Sequence, residues 1–265
     1  MGKRAWKHWV ITSALALALW AAGSSKAEEK AQPKAFNSAV AFGVCAVIGE
    51  EDQHVGITPS ERPLTIPPCR WWYVKPLPPV DMGKVREEVE AQGIPGLKLR
   101  DATDADLEHL KGLTGLQHLS LGGTQVTDAG LEHLKGLTAL QELNLAGTHV
   151  TDAGLQHLKG LTALQQLYLS YTKVTDAGLE HLKGLTALQA LRLSHTQVTD
   201  AGLQQLAGLT GLQALGLSCT QVTDAGLVHL KGLTALQWLD LSDTQVTDAG
   251  VGQLKNSLPD VEVTR

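Results

Sequence analysis

Three columns of variable residues recur every 24 positions, and they hold most of the side chains with binding potential. From one copy to the next they read His118, Ser120, Gly123; Glu142, Asn144, Gly147; Gln166, Tyr168, Tyr171; Ala190, Arg192, His195; Ala214, Gly216, Cys219; Trp238, Asp240, Asp243. Tyr, Trp and Arg are the residue types that anchor protein interfaces. The candidate recognition set is therefore Glu142, Asn144, Gln166, Tyr168, Tyr171, Arg192, His195, Trp238, Asp240 and Asp243. Tyr168, Tyr171 and Trp238 are also the types that stack on sugar rings. His195, Cys219 and Asp243 follow one another in a single column and are all metal-ligand types. Strands about 4.8 Å apart would let the three share a zinc ion. Coincidence in a variable column is the simpler reading, so neither a metal nor any other cofactor is expected.

Other conspicuous columns read as surface or frame. His109, His133, His157, His181 and His229 lie two residues after an inward leucine, which predicts solvated rings. The Lys135 column beside them suits a helix C-terminus. Asp128 and its repeats start helices and do not form paired carboxylates. The chain has no nucleophile elbow, P-loop, HExxH or post-strand GxGxxG, so an enzyme is not expected.

The elements that carry these columns come from a unit repeated six times without a gap between Leu113 and Asn256. It reads roughly L-T-x-L-Q-x-L-x-L-x-x-T-x-V-T-D-A-G-L-x-H-L-K-G. Such a period predicts a solenoid whose units pack on their neighbours. In the copy Leu137–Gly160, Leu143 and Leu145 alternate as a short strand should. Thr151 reads as a helix N-cap, with Asp152 at the positive helix end. Gly154, inside the helix, implies close helix–sheet contact. Leu or Val occupies seven positions in every copy, here Leu137, Leu140, Leu143, Leu145, Val150, Leu155 and Leu158.

The pattern LxxLxLxxTxV resembles the leucine-rich repeat, over about residues 94–265. The V-T-D-A-G-L signature looks like bacterial repeats of the planctomycete kind, and like the repeat half of eukaryotic F-box receptors, although nothing upstream resembles an F-box. The resemblance implies an α/β fold: a right-handed leucine-rich repeat solenoid, or horseshoe, with a parallel β-sheet on its concave face and short helices on its convex face. It also implies binding through the concave sheet. One departure is Thr148 and its equivalents, which replace the usual asparagine or cysteine. Each threonine is expected to donate one hydrogen bond to the neighbouring coil.

The flanks complete the layout. Lys3, Arg4 and Lys7, the apolar run Trp9–Ala22 and the small residues of Ser25-Lys26-Ala27 predict a signal peptide over 1–27, cleaved before Glu28. The mature chain is then exported, to the periplasm, the cell surface or the medium, without membrane insertion. Removing those residues leaves 18 basic against 27 acidic residues, which argues against nucleic acid as partner. Residues 28–79 read as a Pro-rich flank. Phe36–Ile48 is expected to be a strand or hairpin arm, and the proline density of 53–79 argues against regular helix or sheet there, leaving an extended wrap over the first coil or a disordered stalk. In an oxidising compartment Cys45 and Cys69 could close a disulfide, leaving Cys219 over; three reduced thiols are the alternative. The repeat domain spans 80–265: a cap helix over 80–93, a partial repeat over 94–112, six repeats over 113–256 and an edge strand over 257–265. The function expected is protein–protein interaction. Glycan binding, or a structural envelope role with the Pro/Trp flank docking, are the alternatives.

Overall fold

A computed structural model describes residues 34–48, 51–59, 62–67 and 71–265. The expected signal peptide lies outside the described residues. The chain divides into two compact units, Met1–Pro78 and Pro79–Arg265.

In the first unit, β1 (Lys34–Phe36) pairs antiparallel with β4 (Leu64–Ile66). β2 (Phe42–Ile48) lies between β3 (Glu51–Ile57) and β5 (Trp71–Pro76), antiparallel to both. The proline-dense stretch thus holds three strands, contrary to expectation. Its prolines sit at the ends of the strands or between them: Pro59 follows β3, Pro63 and Pro67 flank β4, and Pro76 closes β5. A proline at a strand end costs no ladder hydrogen bond. Phe36, Phe42 and Trp72 pack in the core, with the Phe36 and Trp72 rings 5.1 Å apart. Cys45 is buried against Tyr73, whose hydroxyl donates to Asp52 Oδ2 at 2.5 Å. Cys69, its expected partner, is outside the described residues.

The second unit opens with α1 (Met82–Gln92), capped by Asp81 at its start and by left-handed Gly93 at its end. Met82, Val85 and Val89 form its buried stripe. Eight parallel strands follow: β6 (Gly96–Lys98), β7 (His118–Ser120), β8 (Glu142–Asn144), β9 (Gln166–Tyr168), β10 (Ala190–Arg192), β11 (Ala214–Gly216), β12 (Trp238–Asp240) and β13 (Glu262–Thr264). Each pairs with the next in an unshifted register, so that Leu119, Leu143, Leu167, Leu191, Leu215 and Leu239 form one inward row. Of the seven apolar positions in each of the six copies, all but the half-buried Val251 are buried.

The return path of each coil is short. α2 (Asp104–Glu108), α3 (Asp128–Leu131), α4 (Asp152–Leu155) and α5 (Asp176–Leu179) are about one turn each, and the last three run on into 3-10 turns. α6 (Asp200–Leu206) and α7 (Asp248–Lys255) are longer, and the intervening coil has only a 3-10 helix at Gly226–Leu230. The histidines on these turns are less solvated than expected. His133, His157, His181 and His229 are half-buried, and Nδ1 of His157 and of His181 is buried without a partner.

The V-T-D-A-G motif links one coil to the next. Asp128 Oδ1 accepts from Thr151 N at 2.7 Å, and its Oδ2 accepts from Thr151 Oγ1 at 2.6 Å. Asp104, Asp152, Asp176, Asp200 and Asp224 do the same for the next coil's threonine, and Asp248 is held by Arg265. The threonine then caps its own turn, as Thr151 does by accepting from Ala153 N. This assigns the helix glycine its reason. A Cβ on Gly154 would collide with Asp128 Oδ1, so the close approach is between coils, not between helix and sheet as expected. A second expectation is also corrected. Thr148 and its equivalents do not reach the neighbouring coil: Thr148 Oγ1 donates to Leu145 O, three residues back in its own coil, at 2.7 Å.

Candidate functional site

Strand alternation turns two of the three variable columns to the face opposite the leucine row. Register places His118, Glu142, Gln166, Ala190, Ala214 and Trp238 in one row, and Ser120, Asn144, Tyr168, Arg192, Gly216 and Asp240 in the next. The third column, Gly123 to Asp243, follows the strands as a rim. The sequence-predicted residues therefore form one contiguous surface, but they are not equally available.

Trp238 and Asp240 were expected to be exposed and are buried, at 1% and 8% exposure. The cause is a lane of small residues on β11. Arg192 on β10 reaches over it, and its guanidinium carbon sits 4.0 Å from the centroid of the Trp238 ring. A Cβ on Gly216 would come within 2.9 Å of Arg192 Cδ, so the crossing depends on that glycine. Asp240 turns to its own strand end, where Oδ1 accepts from Ser242 N at 3.0 Å and from Ser242 Oγ at 2.7 Å. Burial pulls the Arg192 guanidinium below its ordinary pKa, opposed by Tyr168 and Asp240.

The first three coils hold polar pairs. His118 Nδ1 lies 3.4 Å from Glu142 Oε2, Tyr168 donates to Gln166 Oε1 at 2.6 Å, and Asn144 Oδ1 accepts from Ala146 N at 3.0 Å. Tyr168, Glu142, Asn144 and Gln166 are all half-buried.

Along the rim, all six positions take the left-handed backbone conformation. Gly123 and Gly147 do so at φ 75° and 69°, but Tyr171, His195, Cys219 and Asp243 do so as non-glycine residues, at φ 59°, 57°, 54° and 56°. Hydrogen bonds between coils enforce this geometry: Tyr171 N donates to Ser194 O, and His195 N to Ser218 O, each at 2.9 Å. A β-carbon in this region costs roughly 1 kcal/mol. Tyr171 is 54% exposed and stacks on His195, with centroids 4.1 Å apart. Cys219 Sγ donates to Asp243 Oδ2 at 3.7 Å. Burial, then Asp243, pushes the Cys219 thiol up. The zinc arrangement does not form: His195 faces Tyr171, and among the described residues no group of three His, Cys, Asp or Glu is arranged for a metal. The chain alone could not reveal the strain or the Arg192–Trp238 crossing. The two glycines in the rim column were the available signal for the strain.

A Leucine Rich repeat family model matches residues 113–135, 136–159 and 184–207. Together with the 24-residue parallel coils, that decides the family. The chain is a leucine-rich repeat protein. No curated protein matches it in sequence. Among solved structures this leucine-rich repeat protein is similar to an internalin C2 from Listeria monocytogenes, at 29% identity and TM-score 0.56, over 72% of this chain and 80% of that one. A second internalin from the same organism shares the fold, at 23% identity and TM-score 0.51, over 68% of this chain and 56% of the other. Among the described residues no helix is long and apolar enough to cross a membrane.

Proposed function

We propose that this leucine-rich repeat protein is exported and binds another protein through the concave sheet and the rim along it. It acts by recognition, without catalysis. The observation that carries this reading is the rim column. Two coils place glycine where the backbone demands a left-handed residue, and four successive coils place Tyr171, His195, Cys219 and Asp243 there instead. Glycine would relieve the strain at each position, so the side chains serve something other than folding. Leucine-rich repeats are generally interaction modules, which agrees with this. Export is supported by the basic and apolar pattern of residues 1–27.

The glycan alternative is weakened by the geometry. Of its three platforms, Trp238 is buried, Tyr168 is half-buried, and Tyr171 is stacked on His195.

The test pairs the native chain with a variant carrying Tyr171→Gly, His195→Gly, Cys219→Gly and Asp243→Gly. Each is used to capture proteins from the envelope and medium of the source cells. The expected result is a protein held by the native chain and lost by the variant, while the two melt within a few degrees of each other. If both retain the same proteins, the rim is not the recognition surface. Export is tested separately: the secreted form should begin at Glu28.

A further inference from the structure

Arg192 is the only lysine or arginine on β7–β12. Its side chain lies across the lane left by Ala214 and Gly216, with the guanidinium carbon over the Trp238 ring, 4.0 Å from its centroid. Among the described residues no carboxylate, carbonyl or hydroxyl accepts from it. Asp240, one register step beyond Gly216, has its Oδ1 committed to Ser242 and forms no ion pair with it. Arg192 is half-buried, so part of its hydration has already been given up. A guanidinium carries five N–H donors in a fixed plane. Stacking on an indole uses the face of that plane and leaves its donor edge free.

We propose that the Arg192 donor edge, held on Trp238, is a receptor for one carboxylate: the side chain of a glutamate or aspartate on the partner protein. The proposal rests on the concave-face reading above. A planar carboxylate matches the guanidinium fork with two parallel hydrogen bonds. The cost of fixing the arginine is already met within the fold, because the indole and the β11 lane hold it in place. The surroundings select a singly charged ligand. Glu142 and Asp243 lie on the same face and rim, so a phosphate with nearly two charges would meet more repulsion than a carboxylate. A uronic acid offers the same group, but its sugar ring would need an open aromatic platform, and Trp238 is already covered.

The test is a titration of the full chain with N-acetylglutamate N-methylamide, its glutamine counterpart, inorganic phosphate and galacturonate. Two signals are followed: the Arg192 Nε–H resonance, assigned by its loss in Arg192→Lys, and the Trp238 fluorescence, assigned with Trp238→Phe. The glutamate compound should give a saturable change in both, at least about tenfold tighter than the glutamine compound, the phosphate or the galacturonate. Arg192→Gln should abolish it. Gly216→Ala, which puts a methyl group in the lane and leaves the charge in place, should weaken it about tenfold or more. Both variants are compared with the native chain by melting. Equal responses to the glutamate and glutamine compounds, or a preference for phosphate or galacturonate, overturn the proposal. The titration needs no protein partner. Its failure alongside rim-dependent capture removes the carboxylate and leaves the concave-face reading standing. Capture indifferent to the rim removes that reading, whatever the titration shows.

Discussion

Gly178 and Asp152 show how one missing methyl group governs a contact between coils. Intrinsic propensity favours alanine over glycine in a helix by about 1 kcal/mol. Here the sign reverses, because the Cβ of an alanine would overlap Asp152 Oδ1, which accepts from Thr175 N at 2.7 Å. Gly178→Ala should therefore destabilise the protein, by about 1–3 kcal/mol in urea unfolding. Asp152→Ala alone should also destabilise, by about 1–3 kcal/mol, since it leaves Thr175 N and Oγ1 without their acceptor. Combined, the two should cost clearly less than the sum of the singles, because removing the carboxylate removes the collision. An additive double mutant would show that the glycine answers to something else. The aspartate and glycine were both legible in the chain, since each recurs every 24 residues. Their partnership was not, because it joins residues 26 apart in different coils. The burial of Trp238 was illegible for a similar reason: alternation gives its face, but the fold brings Arg192 from two strands away across Gly216 to cover it.

The strands and turns were legible to the extent that periodicity speaks for them. The leucine pattern placed β7 through β12, the helix expected over 80–93 spans Met82–Gln92 as α1, and the strand near the end of the chain appeared as β13. Residues 53–79 were not legible, because proline density says where a strand cannot continue but not that short strands lie between the prolines. The short convex helices were legible as well, but the partial burial of their histidines was not. His157 sits on a 3-10 turn near Lys135, Glu132 and Asp128 of the preceding coil, and its Nδ1 is buried without a partner. Burial first, and then Lys135, pulls its pKa below the ordinary histidine value. A folded pKa below the unfolded one favours the neutral ring in the native state. The stabilisation is therefore complete above about pH 6.5 and is lost as pH falls through the folded value. The melting temperature should drop between pH 7 and pH 5, and His157→Gln should drop less over the same interval. Parallel pH profiles for the two proteins would assign the acid sensitivity to other groups.

The repeat unit as a whole behaves as a stack in which each coil bonds only to its neighbours, so its stability should be close to a sum over coils. Removing Leu161–Gly184 takes out one whole period. Every inter-coil bond has an equivalent partner waiting. Asp152, which holds Thr175, would meet Thr199, and Leu145 N, which donates to Tyr168 O, would meet Arg192 O. The shortened chain should fold cooperatively, with an m-value in urea lower by roughly a tenth, in line with the surface lost. Removing only the half period Leu161–Thr172 would set the segment from Lys173 against the strand register of β8, and should abolish cooperative unfolding. The two deletions also test where function resides. The one-period deletion loses Tyr168 and Tyr171 but keeps β10, β11 and β12 intact, with Arg192, Gly216 and Trp238 in unchanged neighbouring coils. Its response to N-acetylglutamate N-methylamide should match that of the full chain while partner capture weakens. A loss of both together would mean that the concave surface works only as one continuous face, with Arg192 positioned by coils well beyond its own.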